Sequence, residues 1–352
     1  MEKKKVLIGM SGGVDSSVSA LLLKQQGYEV IGSTMSLWED KENPNHTLEE
    51  AKKVCDALQI PFYPLYLEKE FNKYVIQNFI QEYEEARTPN PCVQCNRYLK
   101  FGLFLEKAKE LGCNYVATGH YVRTSYSEKY NQIVLQKVQN AKDQSYFLYA
   151  IPKEVLPMLV FPLQEYTSKE EIRKIAKENH IPVAEKKDSQ EICFIPDEDY
   201  GCFLRKNGIG TVKKGDFVLK DGTKLGEHKG LIYYTIGQRK GLGISYKEPL
   251  YVIALKKKEN KVVLGTETEL YKSSFTVSDV HLLVEKEKIE TLGTMQVKIR
   301  YRAKEADCKI EWLSKNRIKV LLTEPQKSIT PGQSAVLYDG DVVLGGGIIE
   351  EE

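Results

Sequence analysis

The 352-residue sequence predicts an α/β fold followed by two smaller β-rich units. Apolar strand-like runs alternate with helical patterns through about residue 120, which is typical of a parallel sheet covered on both faces. Ten of the 25 glycines lie between Arg205 and Gly265, among short apolar runs. From about Ser274 onward, short alternating runs follow one another, for which a closed or nearly closed β-barrel is the economical arrangement. We therefore predict an α/β domain over residues 1–204, a Gly-rich β domain over residues 205–268 and a C-terminal β-barrel over residues 269–352.

The first domain begins with a strand, a tight turn and a helix. An apolar run over residues 6–10 leads to the adjacent glycines Gly12 and Gly13, and apolar periodicity then indicates a helix over residues 14–26. Further strands are predicted at residues 28–35, 62–67 and 115–118, and further helices at residues 47–58, 71–86 and 101–111.

Two later stretches of this domain break or change the pattern. Two prolines interrupt the periodicity and predict a loop over residues 87–96. The pattern over residues 151–181 is helical, with a capped helix that begins at Thr167 and ends near Asn179.

The rest of the chain is predicted to be mostly β-structure. Strands of the middle domain are expected at residues 231–236 and 250–255. Barrel strands are expected at residues 294–302, 309–313, 317–323, 335–338 and 342–349. Asp339 and Gly340 stand between the last two runs and are a typical hairpin signal.

The net charge of +2 conceals a segregated distribution of charge. Between Arg205 and Gly265 there are 14 Lys and Arg residues against 5 Asp and Glu residues. Such a basic segment indicates a polyanionic partner, although a solvated lysine-rich face is the commoner explanation of any single run.

Composition also limits the compartment and the role of the cysteines. No apolar run approaches the roughly 20 residues that span a bilayer, and the first residues carry no signal-peptide pattern, so we expect a cytoplasmic protein without a membrane segment. Seven cysteines in a chain of this length are not a disulfide scaffold, and in a reducing compartment they are thiols, ligands or catalysts.

The turn after the first strand has the chemistry of a phosphate site. Two glycines let the backbone approach a ligand, and serine hydroxyls with unpaired amides at the helix start suit an anion, pyrophosphate in particular. The motif is neither a Walker A loop nor a dinucleotide fingerprint. It resembles the PP-loop of the ATP pyrophosphatases, enzymes that split ATP between its α and β phosphates. The resemblance implies a Rossmann-like, adenine nucleotide α-hydrolase-like domain, with Asp15 near a Mg²⁺-bound pyrophosphate.

A more specific resemblance covers nearly the whole chain. Seven motifs keep the order that they have in the tRNA-specific 2-thiouridylases, and they lie at residues 9–16, 90–96, 117–120, 142–148, 189–195, 234–241 and 331–333. The chain is therefore similar to a family that performs ATP-dependent 2-thiolation of the wobble uridine in Lys, Glu and Gln tRNAs.

The resemblance implies a reaction in two stages. ATP adenylates the C2 oxygen of the uridine, and a cysteine persulfide then supplies the sulfur, with release of AMP and pyrophosphate. Cys193 would carry the persulfide, and Cys95 would be the nucleophile that closes a transient Cys95–Cys193 disulfide, which is ordinary thiol–disulfide exchange. The family draws its sulfur from a cysteine desulfurase or a sulfur-relay protein.

The family's site residues carry over motif by motif. Those implied to contact ATP are Gly9, Met10, Ser11, Gly12, Gly13, Val14, Asp15, Ser16, Met35 and Gly119. Those implied to lie beside the target base are Asn90, Pro91 and Cys92. Those implied to contact tRNA, at the anticodon stem-loop, are His120, Lys142, Asp143, Gln144, Arg300, Tyr301 and Gln333. The basic segment and the barrel would hold the stem through phosphate contacts.

Three other hypotheses remain open from the sequence. Cys92 and Cys95 have metal-ligand spacing and, with Cys193, could hold an iron–sulfur cluster with one open iron. A PP-loop enzyme could instead adenylate a different RNA base or a small-molecule carbonyl and use ammonia, although nothing in the sequence resembles a glutaminase. A non-catalytic RNA-binding or sulfur-carrier protein is the third alternative, which the PP-loop argues against.

Overall fold

A five-stranded parallel sheet forms the N-terminal part of the protein, in a computed structural model that describes residues 4–38, 46–139, 142–186, 192–195, 200–207 and 212–351. The strands up to residue 160 are β1 (Lys5–Gly9), β2 (Glu29–Ser36), β3 (Phe62–Tyr66), β4 (Tyr115–Ala117), β5 (Arg123–Ser127), β6 (Gln132–Gln136) and β7 (Leu159–Val160). The sheet order is β3-β2-β1-β4-β7, so the strand order reverses between β1 and β4. In open parallel sheets, ligands bind at such a switch point, outside the carboxyl ends of the strands.

Helices cover both faces of this sheet. The helices before the central domain are α1 (Val14–Gln25), α2 (His46–Leu58), α3 (Glu68–Phe71), α4 (Gln77–Glu84), α5 (Pro91–Gln94), α6 (Phe104–Glu110), α7 (Lys169–Glu178) and α8 (Tyr200–Lys206). Within β1, Leu7 belongs to one apolar core, whereas Val6 and Ile8 belong to the core on the opposite face. The alternation follows from the two-residue period of a strand.

The predicted loop over residues 87–96 is wrong in its second half. α5 begins at Pro91, a π-helical stretch continues over Cys95–Leu103, and α6 follows without a break. Proline is favoured at the first position of a helix, because its missing N–H has no intrahelical partner there. Pro91 therefore begins a helix at the place where the sequence pattern predicts a break. A second π-helical stretch, Asn72–Ile76, joins α3 to α4.

In the N-terminal part of the chain, strand β7 and the hairpin β5–β6 were not predicted. The helical pattern of residues 151–181 contains a 3₁₀ turn, Lys153–Met158, and strand β7, and only its end forms the predicted helix, α7. The antiparallel hairpin β5–β6 leaves the N-terminal domain and joins the sheet of the C-terminal barrel through Val342 and Gln136. A strand of five residues that pairs with a distant part of the chain has little local signal.

The central unit is a four-stranded sheet of order β10-β11-β8-β9. Its strands are β8 (Gly215–Leu219), β9 (Lys224–His228), β10 (Tyr251–Lys256) and β11 (Lys261–Gly265). The strand predicted at residues 250–255 is confirmed within one residue. The strand predicted at residues 231–236 is wrong, because that apolar run begins with a 3₁₀ turn, Leu231–Tyr233, whose side chains pack on the sheet.

The C-terminal unit is a closed six-stranded barrel. Its strands are β12 (Tyr271–Leu282), β13 (Met295–Lys298), β14 (Ala306–Ser314), β15 (Arg317–Lys327), β16 (Ser334–Asp339) and β17 (Val342–Ile349), with a short helix α9 (Lys286–Glu290). Pairing of β12 with both β15 and β17 closes the barrel. The hairpin at Asp339 and Gly340 is confirmed, with Asp339 opposite Val342. The predicted fold class is thereby confirmed, although β12 was missed.

Among the described residues, helices of the length and apolar character that crossing a membrane requires are absent.

Candidate active site

The turn between β1 and α1 places the start of a helix at the carboxyl edge of the sheet. Gly12 adopts a positive φ of 66°, and Gly13 is the N-cap of α1, where no described side chain forms a capping hydrogen bond. The Ser11 and Ser16 hydroxyl oxygens lie 3.2 Å apart across the turn. Helix N-termini with free amides attract anions, so the geometry fits the phosphates of a nucleotide.

Asp15 lies in the first turn of α1 and has two side-chain partners that sequence reasoning missed. The Tyr121 hydroxyl donates to Asp15 Oδ1 over 2.8 Å, and Lys169, the first residue of α7, forms an ion pair with Oδ2. The Lys169 side chain is only 10% exposed. The capping pattern at Thr167 to Glu170 predicted the helix start but gave no sign of this contact, which joins residues 154 positions apart.

The end of β4 lies against the same helix start. A Cβ added at Gly119 would be 3.0 Å from the backbone nitrogen of Ser16, so a side chain there would press on the turn. His120 is buried, and its Nδ1 is 2.8 Å from the Thr118 hydroxyl. Burial lowers the pKa of His120 well below its ordinary value, and the positive charge of Lys100 lowers it further. His120 is therefore neutral at physiological pH.

The structure brings Cys92, Cys95 and Cys193 into electrostatic contact. Cys95 is buried at the start of the π-helical stretch, whereas Cys92 and Cys193 are exposed. Cys193 is an exposed residue, yet burial is the largest cause that raises its pKa to about 12, followed by negative charge on Cys95 and on Cys92. Two thiols about a hundred residues apart in sequence thus share one site. Ser189, Gln190 and Glu191 of the Cys193 motif lie outside the described residues.

Lys100 is a positive charge common to these thiols. Burial raises the pKa of Cys95 and of Cys92, and Lys100 opposes that shift at both residues and at Cys193. In an α-helix, five residues turn the chain by about 500°, which would leave Lys100 about 140° away from Cys95. The i to i+5 hydrogen bonds of a π-helix place the two residues one turn apart on neighbouring positions of one face.

The sheet edge and the thiol helix meet at one aromatic contact. The ring of Phe101 lies in the same π-helical stretch as Lys100, and its centre is 6.0 Å from that of His120. The positive charge of Lys100 lowers the pKa of both His120 and Cys95. The nucleotide turn and the cysteines are therefore parts of a single site. Met35, next to the last residue of β2, packs against two of the apolar cores.

The residues predicted to contact tRNA have partners within the chain. Asp143 accepts from the Val138 amide at 3.2 Å and from Ser145 Oγ at 2.7 Å, and Gln144 Oε1 accepts from the Tyr121 amide at 2.9 Å. Lys142 is also engaged.

The predicted barrel contacts are engaged in the same way. Arg300 donates to the Ile236 carbonyl at 3.0 Å and the Ser328 carbonyl at 2.8 Å, and the Tyr301 ring centre is 4.5 Å from that of Phe147. Gln333 donates to the Thr88 carbonyl at 2.9 Å. Their tRNA roles stay predictions.

A cavity of about 500 Å³ opens beside Cys193. Ile192, the residue before Cys193, lines one part of the cavity. Thr88 and Pro89 line it from the loop before the cysteine helix, and Lys229 and Tyr233 line it from the central unit. The Lys229 ammonium lies 4.4 Å from the centre of the Tyr233 ring. Aromatic and cationic groups of this kind stack on and pair with nucleotides.

The described residues contain no group of three or more His, Cys, Asp or Glu side chains arranged to hold a metal ion. The three cysteines thus do not form a ready cluster site. A Mg²⁺ ion bound to pyrophosphate needs fewer protein ligands, and the Asp15 carboxylate at the phosphate turn fits that demand.

Three family models match successive parts of the chain. The tRNA methyl transferase HUP domain matches residues 4–197, the tRNA methyl transferase PRC-barrel domain matches residues 203–266, and the aminomethyltransferase β-barrel domain matches residues 272–349.

Curated relatives match over the full length. The tRNA-specific 2-thiouridylase MnmA of Clostridium botulinum is 47% identical over 359 residues, covering 99% of both chains. The protein of the same name from Acetivibrio thermocellus is 46% identical over 361 residues, covering 99% of this chain and 100% of the relative. The one from Clostridioides difficile is 46% identical over 360 residues, covering 99% and 98%. A solved NMN synthetase structure from Francisella tularensis matches 53% of this chain and 67% of that chain at 17% identity, with a TM-score of 0.36 that supports no inference.

Proposed function

This chain belongs to the tRNA-specific 2-thiouridylase family, and we propose that its active site exchanges the C2 oxygen of a tRNA uridine for sulfur in an ATP-dependent reaction. The target is the wobble uridine of Lys, Glu and Gln tRNAs. The main observation behind the proposal is that two kinds of reactive group lie together at one edge of the sheet. A phosphate-binding turn and a set of three thiols meet there through Lys100, Phe101 and His120.

The first half-reaction prepares the base. The C2 oxygen attacks the α-phosphorus of ATP, the base loses its N3 proton, and pyrophosphate leaves. The amides at the start of α1 and the hydroxyls of Ser11 and Ser16 bind the phosphates. To the ion pair of Lys169 and Asp15 at the start of α1 we assign contact with the leaving pyrophosphate. Mg²⁺, when bound there, neutralises charge on the pyrophosphate. The result is a leaving group, AMP, on a carbon that otherwise resists substitution.

The second half-reaction moves sulfur. The terminal sulfur of a Cys193 persulfide attacks C2, and AMP leaves with the former C2 oxygen. The Cys95 thiolate then attacks Cys193 Sγ, so the bond from Sγ to the transferred sulfur breaks with its electron pair on that sulfur. The base regains its N3 proton as 2-thiouridine, and a Cys95–Cys193 disulfide remains. A thiol reductant supplies the two electrons that regenerate both thiols.

The substrate and the sulfur source are partners outside the chain. Asn90, Pro91 and Cys92 stand at the start of the cysteine helix, where a base splayed out of an anticodon loop can meet the thiols. Exposed basic residues of the central unit, among them Lys213, Lys214 and Lys220, suit phosphate contacts along the stem. We propose a cysteine desulfurase or a sulfur-relay protein as the donor that loads Cys193, and a cytoplasmic location, where tRNA and such donors occur.

The test is reconstitution. Purified protein, ATP, Mg²⁺, unmodified tRNA and a persulfide-loading desulfurase are combined, and the nucleosides are analysed by mass spectrometry for wild type, Cys95→Ser and Cys193→Ser. We expect 2-thiouridine with wild type and a loss of at least about a hundredfold in both variants, since each removes a sulfur that must react. Normal thiolation by both variants would refute the proposed chemistry.

Three rival functions give different outcomes in the same assay. A tRNA methyl transferase, the activity named in the matching domain model, would add a methyl group to the RNA. Mass spectrometry distinguishes that product from an exchange of oxygen for sulfur. An iron–sulfur route would require iron and sulfide in anaerobically purified active protein. An amidating enzyme, or one that adenylates another base, would release pyrophosphate with a different acceptor. A non-catalytic RNA-binding protein would release none.

A further inference from the structure

The C-terminal barrel holds the segment that carries Cys92 and Cys95 at both of its ends. We call residues 88–97 the catalytic segment. Its first residues contact the turn between β15 and β16, and its last residue contacts β12. No motif in the sequence relates these parts, because they lie well over a hundred residues apart in the chain.

The first contact is made of backbone hydrogen bonds and one side chain. The Thr88 amide donates to the Pro331 carbonyl at 2.9 Å. Gln333 Nε2 donates to the Thr88 carbonyl at 2.9 Å and to the Pro89 carbonyl at 3.3 Å. These bonds fix the two residues that immediately precede the target-base motif at Asn90.

Gly332 lets the barrel turn approach Thr88 more closely than a residue with a side chain would allow. Its φ is +87°, a conformation that strains other residues, and an added Cβ would lie 2.8 Å from the Thr88 nitrogen and 2.9 Å from the Thr88 oxygen. The barrel turn and the catalytic segment therefore touch backbone to backbone. A small shift of the turn moves the segment with it.

The second contact is an ion pair two residues after Cys95. Arg97 Nη1 donates to Asp279 Oδ2 at 2.9 Å. Asp279 has a φ of 47°, at the point where the pairing of β12 with β17 shifts register, and its other oxygen lies 3.1 Å from His281 Nε2. The hydrogen bond to His281 is the main cause that lowers the pKa of Asp279 to about 2, and Arg97 contributes, so the carboxylate is charged.

A cavity of about 200 Å³ lies between the two contacts. Asn90 and Gln94 line it from the catalytic segment, and Ser278, Asp279 and Gly332 line it from the barrel. The segment is thus not packed solidly on the barrel along its length. Val93 and Cys95 anchor the segment in the apolar cores of the N-terminal domain, and Asn96 donates to the Phe147 carbonyl at 3.1 Å. On the barrel side, the segment is held by the two end contacts, with space between them.

We propose that Gln333 and Asp279 are positioning residues, which clamp the catalytic segment at both ends and so set Cys95 against Cys193 for sulfur transfer. The proposal rests on the proposed function above. It gives Gln333 an intramolecular role beside the tRNA contact that family resemblance implies. It also makes the barrel part of the catalytic apparatus, since RNA that binds the barrel and the thiols that act on it are joined through two contacts.

The test separates positioning from RNA binding. The full-length variants Gln333→Met and Asp279→Asn, alone and combined, keep side-chain size, and Asn tolerates a positive φ. We expect kcat for tRNA thiolation at saturating tRNA to fall by about tenfold or more in the double variant, and to fall also in Asp279→Asn alone, in which the Kd for tRNA stays within about twofold of wild type. Alkylation of the buried Cys95 without tRNA, followed by peptide mass spectrometry, should become at least about threefold faster because the segment is released.

The matched control pair lies elsewhere on the barrel. Gln296 donates to Asp307 at 3.0 Å, so Gln296→Met with Asp307→Asn makes the same substitutions away from the catalytic segment. An unchanged kcat in the clamp variants would overturn the proposal, as would a loss confined to Kd or KM, which would return Gln333 to RNA contact. If the double variant unfolds, the two single variants and the Cys95 alkylation rate decide the matter. Failure of wild type to thiolate tRNA would instead refute the proposed function.

Discussion

At the scale of single residues, the positive charge of Lys100 shifts the pKa of several side chains in the site. It lowers the pKa of Cys95, Cys92 and Cys193 against the effect of burial, and it also disfavours a proton on His120. Burial outweighs Lys100 at every one of these thiols, so they are protonated at neutral pH in the structure described. Each thiol is therefore a weaker nucleophile at neutral pH in this structure than a free cysteine.

The pH dependence of Cys193 alkylation follows from this. Its pKa of about 12 lies above that of an ordinary thiol, about 8.5, so less thiolate is present at neutral pH. Below that pKa the thiolate fraction rises about tenfold per pH unit. The rate of reaction with iodoacetamide should thus be lower than for a free cysteine at about pH 7 and keep rising to about pH 10. A plateau near pH 8.5 in peptide mass spectrometry would contradict the expected pKa.

Replacing Lys100 should weaken sulfur transfer. Lys100→Met removes the cation that lowers the pKa of Cys95, so the pKa rises and the alkaline limb of the kcat profile moves to higher pH. We expect a fall in kcat of about tenfold at neutral pH, with recovery in Lys100→Arg. The control is Lys107→Met in α6, the helix that continues the π-helical stretch, where Lys107 pairs with Glu110 at 2.7 Å. An identical pH profile in Lys100→Met would disprove this role.

At the scale of elements, two helix starts build the end of the candidate site where we propose that the nucleotide binds. α1 brings Asp15 to the carboxyl edge of β1, and α7 brings Lys169 to the same carboxylate. Ser168 caps α7 by accepting from the Glu171 amide at 3.3 Å, which fixes where the helix, and so Lys169, begins. A positive group held beside a phosphate turn stabilises negative charge that develops on a leaving pyrophosphate.

Removal of Lys169 should therefore slow the first half-reaction. In Lys169→Met we expect tRNA-dependent pyrophosphate release to fall by at least about tenfold, with the Kd for tRNA unchanged. The control Lys174→Met lies on the same helix, where Lys174 pairs with Glu178 at 3.9 Å. Equal pyrophosphate release in the two variants would remove Lys169 from the nucleotide site.

At the scale of the whole molecule, charge is divided between units. The central unit carries the basic segment on exposed side chains, whereas the net charge of the full chain is only +2. An RNA held by phosphate contacts releases counterions, and each contact contributes about 0.9 to the slope of log K against log salt. The barrel and the central unit also meet at Arg300, which donates to the Ile236 carbonyl, so the two units that we propose to contact RNA are joined directly.

Salt dependence tests this division. Replacing Lys213 and Lys214 by Met should lower the magnitude of the slope for tRNA binding by about 1.8, because two phosphate contacts are lost. The same change at Lys52 and Lys53 in α2, outside the basic segment, should leave the slope as it is. Filter binding at several salt concentrations measures both. A wild-type affinity that does not change with salt would place RNA elsewhere.

The sequence by itself determined the features that depend on neighbouring residues. The strand, glycine turn and helix at residues 5–25 follow from local pattern and turn chemistry, and the parallel sheet and barrel strands follow from apolar periodicity. Motif order along the chain gave the family, and relatives at 47% identity bear that out. The cysteine helix was missed for a local reason, since Pro91 was interpreted as a break when it begins the helix.

Only the tertiary structure decided the contacts that build the site. The pair of Asp15 with Lys169, the approach of Cys95 to Cys193, and the clamp of Gln333 and Asp279 join residues far apart in sequence. The hairpin β5–β6 likewise pairs with the barrel, not with its own domain. Periodicity reports which side of an element is buried, but it carries no information on which distant surface covers that side. That choice is made by packing of the whole chain, and there the structure alone supplies the answer.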